Sequence, residues 1–332
     1  MTNNIESRKK DFFDISNEEY RRHMSKLMRI AVSRNADCDT LSFLIDQLNN
    51  DLSYNYPDGN GLAHYAAEGC DVNNFMFLNN NETFDIFKEN DRKSTILYFA
   101  AQGGNIDLFR VLIEMGLNPL VKNIYNRTLL HGAAQSGHFD IFLNLIELGC
   151  DPSEKIKNNS TPILESAIGG NINIFNFLLE LGCNPFEKAR KDDIILHYAA
   201  TGGNIDMFNL LLSMGFDHNA KNNRNENIIS YACHFGNYDV FCRLLEMDAN
   251  IFEKDQSGMS LLHDAVLGGN LEILRILVSL GLDLSLKNKN NSTPLDLAVE
   301  KCDDDIAHYL NESGAVLNVN TNKQLEDLLN NR

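Results

Sequence analysis

A short apolar block, LHGAA at Leu130 to Ala134, returns along the chain at an almost fixed interval. The position of His131 recurs at His64, Tyr98, Leu164, His197, Ser230, His263 and Asp296; the first step is 34 residues and the next six are 33 each. Phe75, Phe109, Phe142, Phe175, Phe208 and Phe241 keep the same frame, with Leu274 in the seventh place. Leu78, Leu112, Leu145, Leu178, Leu211, Leu244 and Leu277 form another column, and Gly116, Gly149, Gly182, Gly215, Gly281 and Gly314 a third, broken by Asp248. A period of this size means a stack of like supersecondary units that bury their apolar faces against neighbours. It overrides the two-domain estimate that 332 residues would otherwise suggest.

Each period reads as two short helices. In the third, Leu129 to Gln135 forms the first, Gly137-His138 the turn and Phe139 to Leu148 the second. Ile141, Phe142, Leu145 and Ile146 lie on one helical face. Thr95, Thr128, Thr161, Asn227, Ser260 and Thr293 stand just before the first helices, where a side-chain oxygen can accept a free backbone N–H. Pro162 and Pro294 follow at the position where a missing N–H costs nothing. Two residues before the cap come Gly59, Lys93, Asn126, Asn159, Asp192, Asn225, Gly258 and Asn291. Seven of these eight tolerate positive φ, so the linker must reverse tightly there, as a β-hairpin-like finger does.

These residues resemble the ankyrin repeat. Thr161-Pro162 and Thr293-Pro294 match its TP, Leu130-His131 and Leu262-His263 its LH, Ala133-Ala134 and Ala199-Ala200 its double alanine, and Gly137-His138 its GH. The resemblance implies an all-α solenoid of helix-turn-helix units with short β-hairpin-like fingers. It implies a concave face of fingers and first helices that binds proteins. It also implies that the histidine column hydrogen-bonds within and between fingers. Departures are the Phe column where the family has valine, the long loop Asn79 to Asn90 in the first repeat, and Ile194-Ile195 and Asn227-Ile228 in place of TP. Lys301-Cys302-Asp303 replaces the glycine turn in the last repeat, as suits a terminal unit whose outer side meets water.

On this frame, residues 56–316 hold eight repeats: about 56–89, 90–122, 123–155, 156–188, 189–221, 222–254, 255–287 and 288–316. Residues 1–14 are polar and expected to be disordered. Residues 15–55 read as a helical cap or degenerate repeat, with helices from about Asn17 to Arg34 and from Asp39 to Asn50. Leu27, Ile30, Ala31, Leu41, Leu44, Ile45 and Leu48 are their expected apolar face. Residues 317–332 are a tail with a short helix at Lys323 to Leu329.

Composition narrows the function. The net charge is −17, which argues against a nucleic-acid binder or a partner of anionic membranes. No apolar run reaches the roughly 20 residues a bilayer requires, so no membrane insertion is expected. The N-terminus lacks an apolar signal core, and seven scattered cysteines suit a reducing compartment, so the expectation is a cytoplasmic protein. No CxxC, HExxH or phosphate-loop spacing occurs. No catalytic residue, metal ligand or cofactor is therefore assigned. Cys150 and Cys183 read as small buried apolar groups, and Cys233 and Cys242 as neighbours that a disulfide could join. The rival reading is an enzyme with its site in the first 55 residues or at the Asn79 to Asn90 loop.

One pattern points to partners. In an acidic chain, equivalent finger positions hold Arg92, Tyr125, Arg127, Lys157, Arg190, Lys191, Arg224 and Lys289. They should line one edge of the array and face an acidic protein. Gln102, Gln135, Thr201 and His234, on the first helices, complete the expected binding surface. The reading is a monomeric protein-interaction scaffold or adaptor. Its alternatives are a non-catalytic subunit of an enzyme complex, or a bacterial effector that acts on host proteins. The abundance of Asn, Ile and Lys suggests an AT-rich genome. If the source is an intracellular bacterium, delivery into a host cell becomes the expected location.

Overall fold

The structure is a computed structural model that describes residues 18–317. The expectations for residues 1–14 and for a helix at Lys323 to Leu329 lie outside these residues. The chain divides into two compact bodies, 1–157 and 158–332.

In the first body, α1 (Glu18–Ser33) and α2 (Cys38–Gln47) precede three helix pairs: α3 (Leu62–Gly69) with α4 (Val72–Asn79), α5 (Ile96–Gly103) with α6 (Ile106–Glu114), and α7 (Leu129–Ser136) with α8 (Phe139–Glu147). First helices pack on first helices, α3 on α5 and α5 on α7, and second helices on second helices. In the second body the pairs are α9 (Pro162–Gly169) and α10 (Ile172–Glu180), α11 (Ile195–Gly202) and α12 (Ile205–Ser213), α13 (Ile228–His234) and α14 (Tyr238–Glu246), α15 (Leu261–Gly268) and α16 (Leu271–Ser279), and α17 (Pro294–Glu300) and α18 (Asp304–Glu312). Here too α9, α11, α13, α15 and α17 form one row, and α12, α14 and α16 another.

The columns explain the packing. Phe75, Phe109, Phe142, Phe175, Phe208 and Phe241 are all fully buried, as are the leucines three residues after each. Where the expected caps are concerned, only part of the column behaves as its chemistry suggests. The side chains of Asn227 and Thr293 accept the N–H of Ser230 and Asp296 at 3.0 and 3.2 Å. The hydroxyls of Thr128 and Ser260 instead lie 2.7 and 2.8 Å from Nδ1 of His131 and His263. Those of Thr95 and Thr161 make no cap bond. At Thr128 and Ser260 the imidazole three residues on competes for the hydroxyl and takes the cap residue's own N–H; Tyr98 and Leu164 hold that place after Thr95 and Thr161.

Two further expectations need correction. The buried face of α1 is Met24, Met28 and Val32, a clean i, i+4, i+8 series, while Leu27 and Ile30 are exposed. Cys183, expected to be buried, is only half-buried; the seven cysteines are all free. The loop after α4 is not slack. Phe84 and Ile86 are buried in it, Thr83 Oγ1 accepts the N–H of Leu52 at 2.7 Å, and Phe75 meets Phe84 edge to face.

Candidate protein-binding face

All eight finger positions expected to carry positive φ do so, from 56° at Lys93 to 76° at Gly258. Each reversal is short. Asn90, Asn123, Asn222, Asp255 and Asn288 open the turn, their side-chain oxygen accepting the N–H groups two and four residues on. With so few residues per arm, the fingers hold no strand among the described residues. Isolated antiparallel bridges join Lys221 to Asn227 and Lys254 to Ser260.

Neighbouring tips are stitched by backbone. In the first body the carbonyl of Arg92 accepts the N–H of Ile124, and that of Tyr125 the N–H of Lys157, both at 2.9 Å. In the second body Asn158 is joined to Arg190, Lys191 to Asn223, Arg224 to Gln256 and Ser257 to Lys289, at 2.6 to 2.8 Å. The residues singled out in the sequence therefore sit on one regular edge within each body. Arg92, Tyr125, Lys157, Arg190, Arg224 and Lys289 are exposed there, as are Gln102 and His234 on their helices.

Arg127 and Lys191 are different. The Arg127 guanidinium folds back over the first helices of its own body, where Nε donates to the Tyr98 hydroxyl at 3.0 Å and a terminal nitrogen donates to Gln135 Oε1. Lys191 is half-buried, its Nζ 3.4 Å from Glu226 Oε2. Both lose side-chain freedom to contacts inside the protein, so the exposed cationic edge is narrower than the sequence pattern. Thr201, also half-buried, donates to the carbonyl of His197.

Three of the four column histidines, His64, His197 and His263, do what the resemblance implies. The N–H of Gly61, Ile194 and Ser260 donates to Nδ1 of His64, His197 and His263, at 3.0, 3.2 and 3.2 Å. A nitrogen that accepts carries no proton, so Nε2 holds it and donates to the carbonyl of the next finger. Those carbonyls belong to Ser94, Glu226 and Ser292, at 3.3, 3.4 and 3.0 Å. Burial pushes all three imidazoles below the ordinary histidine value and keeps them neutral. Asp296 takes this place in the last pair, where its carboxylate accepts from the N–H and hydroxyl of Thr293.

A family model for ankyrin repeats matches the chain three times, over residues 64–156, 130–222 and 228–321. The chain belongs to the ankyrin repeat family. The crystal structure of the human ASB11 ankyrin repeat domain is similar, at 23% identity and a TM-score of 0.47. The match covers 68% of this chain and all of that one. No curated protein matches. Ankyrin repeats generally mediate protein–protein interaction. Among the described residues no three His, Cys, Asp or Glu side chains gather as a metal site would require, and no helix is long and apolar enough to cross a membrane.

The second body also holds a hollow that the sequence pattern missed. It measures about 180 Å³ and lies between fingers and first helices. Tyr231 of α13 and Phe235, the residue that follows the helix, line it, and Glu226, Asp255 and Asp264 bring carboxylates to it. Asn222 Nδ2 donates to Asp193 at 2.7 Å and to Glu226 at 2.6 Å. The Tyr231 hydroxyl has one proton, and its shorter contact, 2.8 Å, is to Asp193. Burial works against the charge of Glu226, but Asn222 and Lys191 outweigh it and hold the carboxyl below its usual range. Asp264 has only His234 Nδ1, at 3.4 Å, as an ion-pair partner, and burial pushes its carboxyl up to about 6. These groups come from residues 191 to 264, too far apart in sequence for any local motif to announce them.

Proposed function

We infer that this ankyrin protein is a non-catalytic scaffold or adaptor that binds a protein partner along its fingers and first helices. Its interaction array comprises eight repeats over residues 56–316, with residues 15–55 as an N-terminal cap. It works as a monomer in the cytoplasm. One observation carries the reading. Arg92 and Lys157 in the first body, and Arg190, Arg224 and Lys289 in the second, are exposed at one or other of two adjacent tip positions on backbone-stitched fingers, in a chain of net charge −17. Exposed loop charges add about 1 kcal/mol or less to folding, so stability gives no reason to gather cations there. An acidic protein would be steered to this edge and repelled by the rest of the surface, which also disfavours nucleic acid.

The test is a pull-down with mass spectrometry, followed by association rates against ionic strength. The variant carries Arg92, Lys157, Arg190 and Arg224 each changed to Glu. Its helical content should match that of the parent. Its association with the captured partner at low salt should be at least tenfold slower and nearly independent of salt. Equal rates for the two proteins would sink the reading of the tips.

A further inference from the structure

We propose that the hollow beside Tyr231 and Asp264 receives the guanidinium group of an arginine side chain presented by a protein partner. The proposal rests on the scaffold reading and adds a chemical class for one contact of the partner.

Four observations support it. The hollow is strongly acidic: Asp193 stands behind Tyr231, Glu226, Asp255 and Asp264 line the cavity, and one ammonium, Lys191, is present against these four carboxylates. Lys191 is already committed to Glu226, which leaves Asp255 and Asp264 without a strong cation. One Asp255 oxygen accepts the N–H of Ser257 and Met259, while Asp264 meets only the half-exposed ring of His234. Two aromatic rings, Tyr231 and Phe235, also line the hollow, their planes tilted by 35°, and either face is one on which a planar guanidinium can stack.

The fourth observation is internal to the chain. Three repeats earlier, a shift of 99 residues, Glu226 corresponds to Arg127, Ser230 to His131 and His234 to Gln135. In the first body that place is filled by the chain's own guanidinium. Arg127 reaches over α7, donating to the Tyr98 hydroxyl, to Gln135 Oε1 and, at 3.5 Å, to the carbonyl of His131. In the second body the arginine has become a glutamate, Glu226, and the space beside it is empty and lined with acceptors. The protein thus demonstrates on itself that this groove between finger and first helix admits a guanidinium. It then removes the resident one and reverses the charge around the vacancy.

Asp264 makes the site responsive to acid. The groups facing it are His234, Asp255, Glu226 and, through Glu226, Lys191. Protonation of Asp264 near pH 6 removes a charged acceptor from the hollow.

The test uses the full-length protein and a capped Gly-Gly-Arg-Gly-Gly peptide, titrated by NMR at low salt and pH 7.5. Analogues carry citrulline, the neutral isostere, or lysine in place of arginine. The arginine peptide should saturate and perturb resonances of Tyr231, Phe235 and Asp264. The citrulline peptide should bind at least tenfold more weakly, and the lysine peptide more weakly than arginine. Asp264→Asn should reduce affinity for the arginine peptide at least tenfold at pH 7.5, and the parent should lose affinity between pH 7 and pH 5. Should Asp264→Asn fail to fold, Asp255→Asn serves as the second variant, and the citrulline comparison needs no variant at all. No saturable binding, equal binding of arginine and citrulline or lysine peptides, or unchanged affinity in the folded variants would overturn the proposal. None of these results touches the association assay on the finger-tip variant, so failure here and failure of the scaffold reading are separate outcomes.

Discussion

Asp264 holds a carboxyl where folding disfavours its charge, and this has a measurable sign. Its pKa rises from 3.8 to about 6 on folding, so the folded protein binds a proton more tightly than the unfolded chain. The stabilisation is complete below about pH 4 and is lost as pH rises through 6. Asp264→Asn should therefore stabilise the protein at pH 7.5, by up to about 3 kcal/mol, with the difference shrinking toward pH 4. Urea unfolding of both proteins at the two pH values checks it; a destabilised variant at pH 7.5 would show that the His234 contact outweighs burial. The buried histidines have the opposite sign. Their imidazoles lie below the ordinary value, so their stability is present above about pH 6.5 and is lost as pH falls toward the folded value. His263→Ala removes both partners of a bridge, orphaning the N–H of Ser260 and the carbonyl of Ser292. It should lower stability by about 2–4 kcal/mol, read from the urea midpoint.

At the scale of elements, the columns decide the outcome. Phe142 is fully buried in α8, so Phe142→Ala should cost about 3–5 kcal/mol in denaturant unfolding; a cost under about 1 kcal/mol would place the ring at the surface. Lys93, at 56°, and Lys191, at 71°, are the two finger residues at positive φ that are neither Gly, Asn nor Asp. Lys93→Gly removes the left-handed strain of a Cβ and should raise the thermal midpoint by an amount equivalent to about 1 kcal/mol. What the sequence revealed at this scale was whatever repeats. The Phe core, the helix-ending glycines and the eight reversals were legible because one physical demand recurs in each period. The face of α1 was not, since a lone helix offers two plausible apolar stripes and only the neighbour that covers it chooses. Nor were the caps at Thr128 and Ser260, where a histidine three residues on competes for the same hydroxyl. The hollow stayed hidden for a related reason: Glu226, Asp255 and Asp264 are each unremarkable in their own repeat and meaningful only together.

For the whole chain, the dominant quantity is its charge. A folded chain at −17 repels itself, and its cross-repeat ion pairs, Lys122 with Glu154 at 2.8 Å and Lys221 with Glu253 at 2.6 Å, are partly exposed and individually weak. Screening should then help more than it harms. Raising ionic strength from 10 to 150 mM should increase the melting temperature; a decrease would mean that the ion pairs matter more than the net charge.

The stitched fingers bear on how such a gene can change. Every tip-to-tip bond joins residues separated by the same interval, one short of the 33-residue period, and the two histidine bridges of the second body keep an interval of 29 residues. If a stretch of thirty-three codons is lost or duplicated within the second body, the next finger arrives with its donor and acceptor already in register. The join leaves no backbone group stranded, wherever in the period the break falls. Unequal recombination between like segments thus yields chains of new length that still close their hydrogen bonds, and the array can be edited by whole periods long before any single position is refined.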